Sequence, residues 1–465
     1  MDLDKNLRPV GGLCDRWDAS ADGRVWTFHI RDEATWEDGT PVTSRDAIFT
    51  FEKATDPKIP ALLFSTGLDG FAGAEAVDDR TFRVRFREAY AFRIYAFNMP
   101  IVCAARNAKG DFLASPDGRA PFSDGPYRVA RWNTSESIEL VRNPHYRGPR
   151  APFERVVFRI LPDGAQAYRA IERGEIDEMR LSTDQWRASA TDAGFARCCR
   201  TTLFYDLSYF YIGWNNKSPL FADVATRRAM TMLLDRARLV RDLYYGTARI
   251  LSGPWAADSP AYDPSVAPYP FDPAAARALL AQAGWKDADG DGVLDRDGRR
   301  FAFDLLYGAG GSSARQVCEV FKSELEKAGI VCRPRAVEWA AFTKRMDAGD
   351  FEAVASVWSG DPNPDLYNYW ATSQGPPNGL NNLSYSNPEV DRLIDQVRSE
   401  SDAARRLPLL HRIHRLIHDD EPATFVFQSA QKYALSRSIG GLVSTPVGLY
   451  RFWPDSTAWW RRPPP

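Results

Sequence analysis

The apolar and polar positions along the chain alternate between two periods. Ala353 to Trp358 (Ala-Val-Ala-Ser-Val-Trp) is a short apolar run between the polar Gly349-Asp350 turn and the Gly360-Asp361-Pro362 break, which predicts a buried strand. Near the N-terminus, Arg24 to Ile30 and Thr81 to Arg87 alternate as strands, and Thr43-Ser44-Arg45-Asp46 is a capping signal for a helix through about Lys53. Tyr127 to Trp132 and Ser137 to Arg142 form a hairpin-like pair, so the first 150 residues are rich in strands. From Val156–Ile160 onward, strands and helices are expected to alternate, an order that implies α/β layers. The first helix of this part ends at Arg173-Gly174, and Tyr209 to Trp214 is a strand. Asp223 is expected to cap one long helix through Tyr244, with Val224, Ala229, Leu233, Ala237 and Val240 on its apolar face and Gly246 as its stop. Asp272-Pro273 opens another helix that Gly284 closes. The pattern then gives a strand (Phe301–Leu306), a helix (Ala314–Ala328), a strand (Val331–Ala336) and a helix (Trp339–Ala348). The terminal Pro463-Pro464-Pro465 is the only low-complexity segment.

Composition narrows the class. At 465 residues, 44% hydrophobic and 12% aromatic, the chain is long enough for two or three cores. With 59 basic against 61 acidic residues it gives no electrostatic case for nucleic acid or an anionic membrane surface. A small or neutral partner fits better. No apolar run approaches the roughly 18 residues a membrane span needs. Six cysteines without a C-x-x-C pair support neither a zinc knuckle nor a thioredoxin-type site. Cys198-Cys199 is the only close pair; Cys318 and Cys332 can meet in an oxidising compartment or remain buried thiols.

Asp361 stands just past the Ala353–Trp358 strand, where ligands commonly bind in α/β proteins. Partial desolvation there would make its carboxylate a strong partner for a cation, although Asp361-Pro-Asn-Pro-Asp365 also suits a turn. Asp287, Asp289, Asp291 and Asp295 occupy positions 1, 3, 5 and 9 of a calcium loop with Gly292 at 6, but position 12 is Gly298 where a bidentate Glu is expected. A plain Asp/Gly turn is the alternative. His411, His414 and His418 share one helix face at a spacing that suits a metal. The apolar Leu409, Ile413, Leu416 and Ile417 occupy another face, so the histidines are expected on a solvated flank. No G-x-S-x-G, P-loop or H-E-x-x-H motif is present, so no enzyme activity or cofactor is expected.

Taken together, Trp26-Thr-Phe-His-Ile-Arg31, Trp36-Glu-Asp-Gly-Thr-Pro-Val-Thr43, Gly125-Pro-Tyr127, Arg142-Asn-Pro-His-Tyr146, Gly174-Glu-Ile-Asp177, Gly213-Trp-Asn-Asn-Lys217, Phe221-Ala-Asp-Val224 and Ala283-Gly-Trp285 form an ordered series. In that order, from about Leu7 to about Trp453, the chain resembles the family 5 extracellular solute-binding proteins, the peptide-binding components of ABC importers. The resemblance implies an α/β, two-lobed periplasmic-binding-protein clamp with mixed sheets. Residues 1–212 with 431–465 would form lobe I and residues 213–430 lobe II, with crossings near Tyr211–Asn215 and Ala430–Ala434. It implies a monomer in the periplasm or at the extracellular surface that captures a peptide between its lobes and delivers it to ABC permease subunits. Other solutes of such clamps are oligosaccharides, nickel complexes and haem, and a ligand-sensing role without transport uses the same fold.

By the same resemblance, Asp361 would hold a peptide ammonium. The strand end at Val357, Trp358 and Ser359 would pair with peptide backbone, and Trp339 would line the pocket. Gly308 falls where dipeptide-selective members carry a carboxylate-binding arginine. Family members carry a signal peptide and a further lobe I strand ahead of the residue matched by Met1, so lobe I is expected to be N-terminally truncated here, by fragmentation, a mis-started frame or degeneration.

Overall fold

A computed structural model describes residues 1–59, 67–310, 312–377, 379–449 and 458–461. Trp453 and the Pro463–Pro465 run lie outside them. The chain divides into two compact units, Met1–Phe204 with Gln431–Pro465, and Tyr205–Ala430. The first boundary therefore falls at Phe204, ahead of the expected residue 212, and Tyr209–Trp214 belongs wholly to the second unit.

In the first unit, β1 (Cys14–Ala19), β2 (Val25–Ile30), β3 (Phe71–Ala76) and β4 (Thr81–Phe86) make an antiparallel sheet in the order β1-β2-β4-β3. Helix α1 (Ser44–Thr55) covers it, and Phe28, Phe51, Phe82 and Phe97 pack between them. The helix starts where the capping signal predicts: the Thr43 N–H donates to the Asp46 carboxylate at 2.8 Å. β5 (Tyr127–Asn133), β6 (Ser137–Arg142) and β7 (Arg155–Arg159) form a second antiparallel sheet. The strand at Val156 thus closes this meander rather than opening the layered part of the chain. Local alternation identifies a strand but says nothing of its partner. The α/β alternation begins after it, with α2 (Gly164–Glu172) and β8 (Glu178–Arg180).

The second unit is built on a mixed sheet. Its strands are β9 (Tyr209–Trp214), β10 (Ala302–Gly308), β11 (Val331–Val337), β12 (Ala353–Trp358) and the first part of the long β13 (Ala423–Ser436). The order is β13-β9-β12-β10-β11; β9 is antiparallel to both its neighbours, and β10 is parallel to β11 and β12. Trp214, Phe221, Trp285, Phe301, Phe303 and Phe321 form the centre of its core. The expected single helix from Asp223 is two, α3 (Val224–Met232) and α4 (Arg236–Tyr244). The Asp235 carboxylate caps the second by accepting the Arg238 N–H at 2.8 Å, which stabilises a break inside an unbroken apolar period. α5 (Pro273–Gln282), α6 (Ser312–Glu326) and α7 (Trp339–Ala348) follow. After β12 come the short α8 (Tyr367–Trp370), then α9 (Pro388–Ser399) and α10 (Ala403–Asp420).

The histidine expectation is overturned. His414 is 0% and His418 9% exposed, because the segment around Ser252 to Tyr269 lies over that face of α10. His414 accepts the Asp263 N–H at Nδ1 (3.0 Å) and so donates from Nε2 to Ser252 Oγ (3.1 Å). His418 donates from Nδ1 to the Ser252 carbonyl at 3.0 Å and stacks on Tyr269. These rings are satisfied core histidines. All six cysteines are free, Cys318 and Cys332 among them, and burial pushes the Cys318 thiol up to about 12.

Candidate functional site

β12 changes character along its length. Ala353, Val354 and Ala355 are buried between both neighbouring strands, pairing with Leu305, Leu306 and Tyr307 of β10 on one side. There the β10 ladder stops. Ser356, Val357 and Trp358 continue to pair with Tyr211, Phe210 and Tyr209 of β9, while among the described residues no strand pairs with them on the other side. The strand therefore ends in a three-residue open edge whose N–H and C=O groups need partners. Val357 is 60% exposed, so the expected burial holds for the first half of the run and fails at its end.

Beside this edge lies an open cavity of about 270 Å³, whose described lining residues all belong to the second unit. Trp339, Val357, Trp358 and Ser359 all line it, which brings four of the five site candidates together. Tyr209 stacks on Trp358 at 6.3 Å and Tyr369 meets the same indole edge-on at 4.4 Å, so Trp358 is held from two sides. Burial raises the Tyr211 phenol to about 12, which keeps it a neutral donor. Trp339 is the first residue of α7, whose N-terminus is capped by Glu338 accepting the Ala340 and Ala341 N–H groups at 3.0 and 3.2 Å. Its ring is 64% exposed and lies directly over Gly308, where an added Cβ would sit 2.9 Å from the indole.

The fifth candidate stands apart. Asp361 is exposed and does not line the cavity, so the expected partial desolvation is absent. Its Oδ1 accepts the Asn363 N–H at 2.8 Å, Asn363 Oδ1 accepts the Asp365 N–H at 3.1 Å, and Asp365 Oδ1 accepts the Tyr367 N–H at 3.0 Å. This chain of side-chain turns leads from β12 into α8. Asp361 is nevertheless electrostatically coupled to the cavity: Tyr369 is raised by burial and then by the Asp361 charge. Gly360 fixes the approach, since a Cβ there would collide with the Leu207 carbonyl.

The periodicity of α7 held a signal that the sequence reading left unused. Thr343, Met346 and Asp347 follow Trp339 at i+4, i+7 and i+8 and line the same cavity, as one helix face must. Tyr209 and Tyr211 belong to the cavity by the period of two in β9. Leu380 and Asn382 come from irregular chain, where no period marks them. Of the calcium candidates, Asp287, Asp289 and Asp295 bring carboxylates within 4.8 Å of one another. Asp291 instead pairs with Arg300 at 2.7 Å, and Asp287 accepts the Gly290 and Gly292 N–H groups of its own turn. These are the hydrogen bonds of an Asp/Gly turn, on which the Asp287, Asp289 and Asp295 carboxylates stay grouped.

The family model of bacterial extracellular solute-binding proteins, family 5, matches residues 8–379. The oligopeptide-binding protein AppA of Bacillus subtilis is 30% identical over 347 residues, which is 74% of this chain and 62% of AppA. Heme-binding protein A of Haemophilus influenzae is 25% identical over 474 residues, 95% of this chain and 83% of that protein. Among solved structures, B. subtilis AppA in complex with a nonapeptide superposes with a TM-score of 0.83 at 24% identity, covering 99% of this chain and 92% of the other. NikA of Brucella suis in complex with Fe(III)-EDTA superposes at 0.87 with 21% identity, covering 99% and 93%. These structural likenesses establish the fold, the mixed α/β architecture of periplasmic binding proteins. Among the described residues, no helix is long and apolar enough to cross a membrane.

Proposed function

We propose, on the premise that this chain belongs to the family 5 bacterial extracellular solute-binding proteins, that it captures peptides along the open edge of β12 and delivers them to the permease of an ABC importer. The observation that carries this reading is the edge itself. On the side away from β9, no strand among the described residues pairs with Ser356 to Trp358 beside an aromatic cavity, and an extended peptide supplies the matching N–H and C=O groups whatever its sequence. Asp361 receives the peptide ammonium at the end of that strand. The likeness to the oligopeptide-binding AppA supports the same ligand class. The protein acts as a monomer outside the cytoplasm, in keeping with the extracellular family it belongs to.

Binding calorimetry on one peptide in free, N-acetylated and C-amidated forms tests the reading. Asp361 is exposed in the free protein, and once the bound peptide covers its carboxylate, removing either charge leaves the other desolvated, so acetylation and Asp361→Asn should each cost about 2–5 kcal/mol. That is roughly 30-fold to several thousand-fold in affinity. Combined, the two changes should cost far less than their sum, because they remove one shared interaction. Amidation should matter little, since Gly308 offers no carboxylate clamp and Trp339 covers it. Equal affinity for free and acetylated peptide would return Asp361 to its turn role. Native mass spectrometry of the purified protein would identify a haem, metal chelate or saccharide in place of a peptide.

A further inference from the structure

The cavity beside β12 carries a charge pattern that backbone pairing leaves unused. Tyr209, Tyr211, Trp339, Trp358, Tyr369 and Phe425 supply aromatic walls. Among the described residues lining it, Asp347 is the one carboxylate, and no lysine, arginine or histidine joins it. The Asp347 side chain is exposed and makes no ion pair or hydrogen bond with another described residue. Arg345, a cation on the same helix, is taken by Asp350 at 3.1 Å. Strong aromatic faces and one unneutralised acid are what a cation on an alkyl stem requires: the stem lies on apolar wall, the head stacks over a ring and meets the carboxylate. An apolar side chain would fill the same walls but cover Asp347 without pairing it, and an acidic side chain would be repelled.

From this we infer that the cavity selects a basic side chain, lysine or arginine, on the bound peptide. The inference rests on the peptide reading and names its substrate class. Asp361 and Asp347 then hold two different cations of one ligand, the first the ammonium and the second the side-chain head.

The experiment uses the full chain and tetrapeptides of alanine in which each of the first three positions in turn carries lysine or norleucine, which has a similar alkyl stem and no charge. All-alanine peptide is the reference. At one position, lysine is expected to bind roughly tenfold more tightly than norleucine, the size of a modest charge-assisted contact. Asp347→Asn should bring that ratio close to one, and Asp347→Glu should restore part of it. Trp339→Ala should weaken the lysine peptide by removing a wall. Norleucine binding as tightly as lysine at every position, or a lysine preference that survives Asp347→Asn, would overturn the inference while binding of the alanine peptide leaves the peptide reading standing. No binding of any peptide would overturn both.

Discussion

Acid should destabilise the second unit through His414. The ring is fully buried, with both nitrogens engaged by uncharged partners, the Asp263 N–H and Ser252 Oγ, and burial lowers its pKa from 6.5 to about 4. Other charged groups around it act in different directions: His418 and His411 oppose a positive charge there, while Asp263, paired with Arg415, favours it. A neutral histidine in the fold and a free one in the unfolded chain gives stability that is whole above pH 6.5 and is lost as pH falls toward 4. At about 1.4 kcal/mol for each tenfold, the limit is roughly 3 kcal/mol, with about 2.5 kcal/mol lost by pH 4.5. For a unit of this size that is about 5–10 °C in melting temperature. Calorimetric melting of the wild type and His414→Gln at pH 7.5 and 4.5 isolates the contribution, because Gln keeps a donor toward Ser252 and does not titrate. The wild type should lose about 2.5 kcal/mol more than the variant between these pH values. An equal loss in both would show that His414 is not the group responsible and that its burial is relieved before unfolding.

Glu421 should behave with the opposite sign. It is buried and held neutral, with its pKa raised to about 8 by desolvation against the pull of Arg236, so its contribution is whole below 4.5 and fades as pH rises toward 8. The melting temperature of Glu421→Gln relative to wild type should therefore rise between pH 5 and 8; a difference that falls would refute the neutral carboxyl. Gly360→Ala should weaken peptide binding and lower the melting temperature, because the added Cβ meets the Leu207 carbonyl and the chain carrying Asp361 has to move; unchanged affinity in titration would sink the positioning argument. Trp285→Ala should destabilise by about 3–5 kcal/mol in denaturant titration. The indole is 2% exposed, packs 4.2 Å from Phe301, and donates to Thr226 Oγ1 at 3.1 Å.

What the sequence made legible follows the range of the forces involved. β12 and α7 have the predicted bounds because Gly349 and the Gly360-Asp361-Pro362 break are local signals, and Gly349 adopts φ +66 at the helix end. Local patterns failed where distant chain decides. The α3–α4 break keeps its apolar face in phase, so only the Asp235 cap marked it. The burial of His414 depends on Ser252 and Asp263, far along the chain, and no period on α10 reports that cover. At the site, residues on regular elements were accessible through their period, and Thr343 and Asp347 could have been read from Trp339. The exposure of Asp361 could not, since a terminal carboxylate has the same local sequence whether or not a ligand covers it.

The contact between Gly308 and Trp339 has a consequence for how ligand choice can change over evolutionary time. A Cβ at position 308 would sit 2.9 Å from the Trp339 indole, so any side chain acquired there has to move that exposed ring. A new side chain at 308 and a displaced aromatic wall of the cavity are thus one structural event. Substitution at 308 therefore reshapes the strand end and the cavity wall together, and the two cannot be tuned one at a time.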